Sequence, residues 1–315
     1  MQLLEYTPVF DVNTAAAIAG EHFGIFARAQ ALPSERDQNF LLTNEGGEKF
    51  VLKIANALES RTFLEAQNSI LKHLEGRVSI CQKLLGDEIV TVKAASGATH
   101  FVRMVHYLPG VPLAEVRPYS SGLLHDLGRK LGQVAGALAD FDHPAVHRDF
   151  HWDLANGNRV LDEFAPLIDN MSLRDLVVKC RYEPPASLRR SVIHGDANDY
   201  NLLVDPQSMT VTGLIDFGDM VYSYTVGDLA IAIAYVILDP NADVAAIVSG
   251  YRSEFELVED ELEALWSLVL LRLAMSVCLA AHQLRQQPEN KYLLISQKAI
   301  EESLPRIYAD DRRIY

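Results

Sequence analysis

The stretch VIHGDANDYNLLVDPQSMTVTGLIDFGDMVYSY, residues 192–224, contains the pattern that decides the fold of this chain. It opens with His194-Gly195-Asp196, has Asn201 a few positions later, and continues to Asp216-Phe217-Gly218. Two short apolar runs, LLV and VTGLI, lie between Asn201 and Asp216 on either side of the turn-forming sequence DPQS, which is typical of a β-hairpin. Such a hairpin would bring Asn201 and Asp216 to adjacent strand ends, close enough to share a metal ion.

These residue types in this order suit phosphoryl transfer, which depends mainly on positioning and charge neutralisation. Asp196 would accept the proton of an attacking hydroxyl, while Asn201 and Asp216 would hold Mg²⁺ against the nucleotide phosphates. The alternative is a pair of acidic surface loops. That alternative does not explain why both halves of the pattern occur in order at hairpin spacing.

A second triplet, His147-Arg148-Asp149, resembles a protein-kinase catalytic motif but lacks its companions. Leu154 stands where the metal-binding asparagine is required, and no Asp-Phe-Gly follows at hairpin distance. The neighbouring histidines and aspartates of residues 143–153 do not repeat a compact metal-ligand spacing. We therefore interpret this triplet as non-catalytic.

The motifs of residues 194–201 and 216–218 resemble those of the aminoglycoside phosphotransferase and choline kinase family of small-molecule kinases, and within it the hydroxylysine kinases. The similarity continues through residues 213–239 and 287–299 and includes residues 35–40 and 51–56. It therefore covers nearly the whole chain.

This resemblance implies an α+β, protein-kinase-like fold with two lobes. Residues 1–107 would form a nucleotide-binding lobe of antiparallel sheet plus helix, and residues 108–315 a mostly helical catalytic and substrate-binding lobe. It also implies Mg²⁺, ATP or GTP as the phosphoryl donor, and a hydroxylated amine or amino acid such as 5-hydroxylysine as the acceptor.

Composition narrows the class of partner. Hydrophobic residues make up 49% and charged residues 22% of the chain, as in ordinary globular proteins. A net charge of −14 disfavours nucleic acid as a binding partner, because it would be repelled, and suits a cationic substrate. Three scattered cysteines and no apolar run of membrane-spanning length predict a cytoplasmic protein with reduced thiols.

Hydrophobic periodicity outlines the remaining elements. A helix capped by Asn13 or Thr14 is predicted to run through His22, and the sequence Tyr107-Leu108-Pro109-Gly110 breaks the pattern between the lobes. Strands are predicted at residues 27–32, 39–43, 49–54, 82–85, 89–94 and 99–106, and further helices at residues 60–74, 123–140, 229–238 and 262–284.

On the nucleotide side, Lys53 ends an apolar strand and can reach the α- and β-phosphates, as in kinases. Its expected partner is an acidic residue on the following helix. At 100° per residue, however, Gln67 shares the apolar face and Glu65 does not. Gln67 is therefore the predicted partner, with Glu65 left open if the helix register is shifted.

Between the first two strands, Arg36 either touches the phosphates or pairs with Glu35 or Asp37 on the surface. Backbone groups of Met104 and His106 are expected to face the purine edge. The side chains there do not distinguish ATP from GTP, and the resemblance to hydroxylysine kinases makes GTP a candidate.

On the catalytic side, His194 is expected to hold the loop by hydrogen bonds. Asp199 either contacts a substrate ammonium or stabilises a turn. Asp219 is a second carboxylate near the metal and the substrate amine, while Asp228 is predicted to cap the apolar helix that follows.

Trp152 and Asp153 have counterparts in the hydroxylysine kinases and are candidates for reading an amino-acid substrate, although Trp152 equally suits the core. Arg148, Arg174 and Arg181 remain candidates for a substrate carboxylate. The rival functions are a homoserine kinase, an aminoglycoside phosphotransferase and a catalytically silent pseudokinase, the last because the helix lacks an acidic partner for Lys53.

Overall fold

A computed structural model of the chain describes residues 6–34, 36–286 and 297–310. Glu35 and most of residues 287–299, both part of the family resemblance, lie outside the described residues. The chain forms two compact units. The first contains the residues up to Arg77 together with Cys81–Pro109, and the second contains Val78–Ile80 and the residues from Gly110 onward.

The first unit is built on a five-stranded antiparallel sheet with the spatial order β1-β2-β3-β5-β4. Its strands are β1 (Ala27–Leu32), β2 (Gln38–Asn44), β3 (Lys49–Ile54), β4 (Val90–Lys93) and β5 (Thr99–His106). The central strand β3 is buried on both faces from Phe50 onward, which explains its continuous apolar run. The strand predicted at residues 82–85 is instead an isolated pairing of Leu84 with Val105.

Two helices accompany this sheet, and each begins at a side chain that caps its free N–H groups. Helix α1 (Val12–Phe23) begins after Asp11, whose carboxylate accepts the Thr14 N–H at 2.7 Å, so the predicted cap at Asn13 or Thr14 is wrong. Helix α2 (Arg61–Leu74) is capped by Ser60.

The second unit is mostly helical. Its helices are α3 (Ser121–Leu138), α4 (Gly157–Phe164), α5 (Met171–Lys179), α6 (Gly227–Val236), α7 (Val244–Glu254), α8 (Glu259–Gln286) and α9 (Gln297–Ala309). The short strands are β6 (Val111–Pro112), β7 (Arg190–Ile193), β8 (Leu202–Asp205), β9 (Thr210–Leu214) and β10 (Val221–Tyr224). Strands β8 and β9 form the predicted hairpin with β6 alongside β8, and β7 pairs with β10. The predicted α+β class is confirmed.

The expectation that no apolar run reaches membrane-spanning length is wrong, because helix α8 is long and apolar enough to cross a membrane by length and composition alone. However, 78% of its most apolar stretch is buried inside the protein. Helix α6 is buried at every position. Both helices therefore pack as core helices, and they carry the polar side chains discussed below.

The three cysteines, Cys81, Cys180 and Cys278, are free and buried. Burial raises the pKa of each thiol to about 12, so the thiols stay protonated at neutral pH. They therefore behave as small apolar side chains of the core.

Helices α3 and α7 approach so closely that glycine is required at their crossing. A Cβ atom at Gly128 of α3 would overlap the main chain of Ile247, and one at Gly250 of α7 would overlap the carbonyl of His125. Gly136, further along α3, has only the Phe255 ring within ordinary contact distance, at 3.6 Å. The spacing of the two helices therefore depends on Gly128 and Gly250.

We expect Gly250→Ala to lower the free energy of unfolding by about 1–3 kcal/mol or more, because the added methyl group must push the two backbones apart. The matched control, Gly136→Ala, should be neutral or stabilising by up to about 1 kcal/mol, since alanine is the better helix former. Urea denaturation followed by circular dichroism measures both. Equal stability of the two variants would contradict this account of the crossing.

Candidate active site

The β8–β9 hairpin brings the two predicted metal-binding residues together. Leu202 pairs with Leu214, and the Ile215 N–H donates to the Asn201 carbonyl at 2.9 Å. Asn201 and Asp216 therefore leave the hairpin from adjacent strand ends. This part of the geometry follows from the strand register, as the apolar runs predicted.

His194 connects the catalytic loop to the end of β9. Its Nε2 donates to the Ile215 carbonyl at 3.0 Å, because its Nδ1 accepts the Asp196 N–H at 3.2 Å. The Phe217 ring packs edge-on against the imidazole with 4.6 Å between ring centroids. The prediction that His194 holds the loop by hydrogen bonds is confirmed.

Gly195 lies between His194 and Asp196, and the backbone conformation at this position requires glycine. It has φ +81°, and a Cβ atom there would overlap the Asp219 carbonyl oxygen. An L-residue with a side chain would be strained in this conformation and would clash as well. The loop thus passes directly against the segment that follows Asp216-Phe217-Gly218.

Asp228 does not cap α6, so that prediction is wrong. The N-cap position is Val226, which makes no side-chain cap hydrogen bond. The buried Asp228 carboxylate instead accepts the main-chain N–H groups of His194 and Gly195, at 2.8 and 2.9 Å. Burial raises the pKa of Asp228, while nearby His194 and these two amides oppose that rise. A core helix therefore fixes the start of the catalytic loop.

The carboxylate of Asp196 is surrounded by donors. Oδ2 accepts the side-chain amides of Asn198 and Asn201, at 2.9 and 2.8 Å, and Oδ1 accepts Nη2 of Arg272 at 2.7 Å. Desolvation raises the pKa of Asp196, and the Arg272 guanidinium opposes that shift. Its side chain is 21% exposed, so one side of the carboxylate remains accessible.

Arg272 is a site residue that the sequence analysis missed. It lies in α8, its side chain is only 2% exposed, and its guanidinium stacks 4.5 Å from the centroid of the Trp152 ring. Nη1 donates to the Trp152 carbonyl at 3.2 Å, and the Tyr235 ring lies 5.8 Å away. The available signal was an arginine inside the apolar run LVLLRLAMSV, since buried arginines are rare and are paired when they occur.

The donor set at the hairpin end fits a magnesium ion. The Nδ2 group of Asn201 is used by the main-chain oxygen and the carboxylate of Asp196, at 2.9 and 2.8 Å, which leaves its Oδ1 as the potential ligand. Asp216 adopts φ +65°, an uncommon left-handed conformation found at functional sites. Amide and carboxylate oxygens are the ligands that Mg²⁺ takes in proteins.

The other predicted substrate residues have structural partners. Asp199 is buried and its Oδ2 accepts Nη2 of Arg117 at 2.7 Å. Burial raises the pKa of Asp199, and Arg117 opposes the rise. Asp153 accepts the Ala155 N–H at 2.9 Å and the Ser223 hydroxyl, and burial raises the pKa of its carboxyl.

Asp219 is buried after the Asp-Phe-Gly motif, next to Gly195. In the non-catalytic triplet, Nη2 of Arg148 donates to the Gly218 carbonyl at 3.0 Å, whereas Asp149 pairs with the exposed Arg159. Residues 147–153 therefore contact the metal-binding segment without supplying a base to it. Another arginine that was predicted to bind a substrate carboxylate, Arg181, instead pairs with the exposed Asp162.

In the first unit, Lys53 is buried on β3 and lies opposite Arg103 of β5. Arg103, which the sequence analysis also missed, donates to the side-chain oxygens of Gln67 and Asn68 on α2. Gln67 is on the buried face, whereas Glu65 is half exposed and pairs with Arg61 at 3.0 Å. The inward face of α2 thus presents two amides to Arg103, which lies opposite Lys53 in the sheet.

The backbone of β5 and the loop before β2 also form hydrogen bonds within this unit. The Met104 carbonyl accepts the Leu85 N–H, and the His106 N–H donates to the Lys83 carbonyl. These two groups are thus already used within the unit, and the role of the Met104 and His106 backbone at a purine edge stays a prediction. The Arg36 carbonyl accepts the Asn56 side-chain amide at 3.2 Å.

The chain was compared with known proteins. The model of a phosphotransferase enzyme family matches residues 28–265. Hydroxylysine kinase of Mus musculus is 33% identical, covering 92% of this chain and 87% of its own length. Hydroxylysine kinase of Danio rerio is 30% identical, covering 98% and 94%.

Among solved structures, an amicoumacin kinase in complex with AMP-PNP, Ca²⁺ and Ami aligns with a TM-score of 0.68 at 16% identity, covering 94% of each chain. A microcompartment-associated aminopropanol kinase aligns with a TM-score of 0.68 at 20% identity, covering 96% of this chain and all of its own. At these identities the likeness concerns the fold, and it confirms the predicted kinase-like class. Given the family match and the curated relatives, this chain belongs to the phosphotransferase enzyme family and is a small-molecule kinase that acts on a hydroxyl group.

Proposed function

We propose that the chain is a cytoplasmic, Mg²⁺-dependent hydroxylysine kinase that transfers the γ-phosphoryl group of ATP or GTP to 5-hydroxylysine or a closely similar hydroxylated amino acid or amine. The relatives named hydroxylysine kinase support this substrate class. The observation that carries the reaction type is the Asp196 carboxylate, which is bonded to Asn201 at the hairpin end that also bears Asp216.

In this proposal Asp196 orients the substrate hydroxyl and receives its proton. The hydroxyl oxygen attacks the γ-phosphorus, the new P–O bond forms, and the bond to the bridging oxygen of the β-phosphate breaks. The nucleoside diphosphate leaves with the bonding electrons. The three hydrogen bonds to Asp196 hold the carboxylate in one orientation, which is the contribution that positioning makes to the rate.

Asn201 and Asp216 would hold the metal through Oδ1 of the amide and the carboxylate. A bound Mg²⁺ neutralises charge on the nucleotide phosphates. The use of the Asn201 NH₂ group by Asp196 sets the amide orientation and turns its oxygen away from that carboxylate. The metal and base positions are therefore coupled through one side chain.

On the nucleotide side, Lys53 is proposed to contact the phosphates, with Arg103 as a neighbouring cation. Gln67 supports this pair indirectly through its hydrogen bond to Arg103. Arg36 is proposed to reach the phosphates from its loop. We propose either ATP or GTP as the donor, because no side chain among the described residues distinguishes adenine from guanine.

For the acceptor, Asp219 is the preferred contact for a substrate ammonium because it lies against the catalytic loop at Gly195. Asp199 is a weaker candidate, since Arg117 already neutralises it. Trp152 and Asp153 are proposed to shape the acceptor pocket. The net charge of −14 favours a cationic acceptor in general.

The alternative kinases, acting on homoserine or an aminoglycoside, use the same chemistry and differ only in the acceptor. A pseudokinase is disfavoured because Asp196, Asn201 and Asp216 are all retained, and the first two are hydrogen-bonded to each other. Such a network is expected of a working site rather than of a scaffold.

Asp196→Ala and the isosteric Asp196→Asn should lower turnover by about 10²–10⁴-fold or more, since loss of a positioned base typically has this effect. The affinity for Mg²⁺–nucleotide should change much less, because the main-chain oxygen of residue 196 still accepts the Asn201 amide. A coupled nucleoside-diphosphate assay and calorimetric nucleotide binding measure the two quantities. Near-full turnover of Asp196→Ala with the true acceptor would refute the mechanism.

Asp216→Asn should weaken Mg²⁺-dependent nucleotide binding by at least about tenfold, the lower end of what loss of even an outer-shell partner costs. Asp205→Asn is the matched control, because Asp205 lies at the opposite end of the hairpin, where its carboxylate accepts the Gln207 N–H and the Ser208 hydroxyl, each at 2.9 Å. Titration of Mg²⁺ at fixed nucleotide compares them. Equal Mg²⁺ dependence would rule out Asp216 as a ligand.

Turnover with hydroxylysine, homoserine, choline, ethanolamine and kanamycin, each with ATP and with GTP, tests the acceptor. We expect kcat/KM for hydroxylysine to exceed that of the others by at least about 10²-fold, because a site that hydrogen-bonds a polar group rejects substrates lacking it. A preference for homoserine or kanamycin would reassign the substrate. Nucleotide binding without turnover on any acceptor would support the pseudokinase.

A further inference from the structure

The hydrogen bonds of Asp196 leave a defined position for a substrate. An ionised carboxylate has about four acceptor positions, two on each oxygen. Oδ2 uses both of its positions for the amides of Asn198 and Asn201, and Oδ1 uses one for Arg272. The described residues therefore leave one acceptor position unused, and it lies on Oδ1, the oxygen that accepts the Arg272 hydrogen bond.

The environment of Arg272 restricts the guanidinium to one orientation. The ring of Trp152 lies 4.5 Å from its centre, and Nη1 donates to the carbonyl of the same tryptophan at 3.2 Å. Tyr235 of α6 flanks it with its ring centroid 5.8 Å away. Stacking and hydrogen bonding together fix the planar fork that meets Asp196.

Stability alone does not account for an arginine at this position. A guanidinium whose side chain is 2% exposed loses its hydration, and its Nε has no hydrogen-bond partner among the residues that the structure describes. Replacing a buried ion pair by apolar side chains of similar volume is often neutral or stabilising. The surrounding α8 sequence is apolar and would accommodate such a side chain.

We infer that Arg272 is a positioning residue for phosphoryl transfer, which fixes Asp196 so that the remaining acceptor position on Oδ1 receives the substrate hydroxyl. The inference rests on the proposed function, because it assigns Asp196 as the group that orients the acceptor. Arg272 lies beyond residues 28–265, the part of the chain matched by the family model. The base in the family motif is thus oriented by a residue from outside the matched region.

Arg272→Met and Arg272→Lys test the inference. Methionine keeps an unbranched apolar chain without the charge or the fork, so kcat should fall by about 10²-fold or more, as misplacement of a reacting group by about 1 Å does. The Kd for Mg²⁺–nucleotide should stay near wild type. Lysine should restore only part of kcat, because an ammonium cannot reproduce the fork.

The double variant Asp196→Asn/Arg272→Met provides a second readout. If Arg272 acts through Asp196, the double variant should be no slower than Asp196→Asn alone, because the two losses are not independent. Losses that multiply would overturn the inference. So would a kcat of Arg272→Met, per folded molecule, within a few-fold of wild type.

Arg189→Met is the control for disrupting an arginine–carboxylate pair outside the catalytic loop. Arg189 Nε donates to the fully buried Glu261 at 2.9 Å, while the Arg189 side chain itself is 39% exposed. Arg189→Met should lower the melting temperature while kcat per folded molecule stays at the wild-type value. If Arg272→Met fails to fold, Arg272→Gln and Arg272→Lys decide the question, and wild-type kcat in either would refute the positioning role.

The assay separates this inference from the proposed function. Wild-type preference for an acceptor other than hydroxylysine would defeat the proposed substrate, and the Arg272 comparison would then be made with that acceptor. If none of the acceptors is phosphorylated, Arg272→Met and wild type are compared by their slow hydrolysis of the nucleotide, because attack by water also requires an oriented nucleophile. In each case the role of Arg272 is decided by the ratio of the variant rate to the wild-type rate.

Discussion

The orientation of the Asp196 carboxylate depends on hydrogen bonds from parts of the chain that are far apart in sequence. Two amides come from its own loop, and the guanidinium of Arg272 comes from α8. The loop itself is held by His194, which bonds to the end of β9 at Ile215, and by the Asp228 carboxylate of α6. If the β8–β9 pairing slipped by one residue, the side chains of one strand would turn to the other face of the hairpin. Asn201 and Asp216 would then no longer lie together, and this arrangement would be lost.

The apolar core and the polar site are supplied by the same helices. α6 and α8 are buried along most of their length, yet each directs one charged side chain at the catalytic loop. Burying a charge is expensive unless hydrogen bonds replace its hydration. Asp228 accepts two main-chain N–H groups, and Arg272 donates to a carboxylate and to a carbonyl. Side chains mounted on packed helices are held more accurately than those on loops, which suits a reaction that depends on position.

In the first unit, two cationic side chains are buried next to each other. Lys53 and Arg103 are buried neighbours on adjacent strands, and α2 offers Arg103 the neutral amides of Gln67 and Asn68. A neutral partner orients a guanidinium without cancelling its charge. The two α2 amides therefore orient Arg103 without adding a negative charge beside it. The substitution of an amide for a carboxylate on α2 is thus compatible with phosphate binding and does not by itself indicate an inactive kinase.

The sequence by itself determined the elements whose signals are local. Strand and hairpin periodicity placed β1, β3 and β5, and the 3.6-residue period of α2 placed Gln67 inward and Glu65 outward. The spacing of Asn201 and Asp216 around a hairpin was also a local signal. Only the tertiary structure showed that Asp228 bonds the His194–Gly195 amides rather than capping its own helix, and that Arg272 and Arg103 belong to the candidate sites. The physical reason is sequence separation, because turns and periodicity involve residues within a few positions of one another, whereas Arg272 meets Asp196 only after α8 has packed into the core.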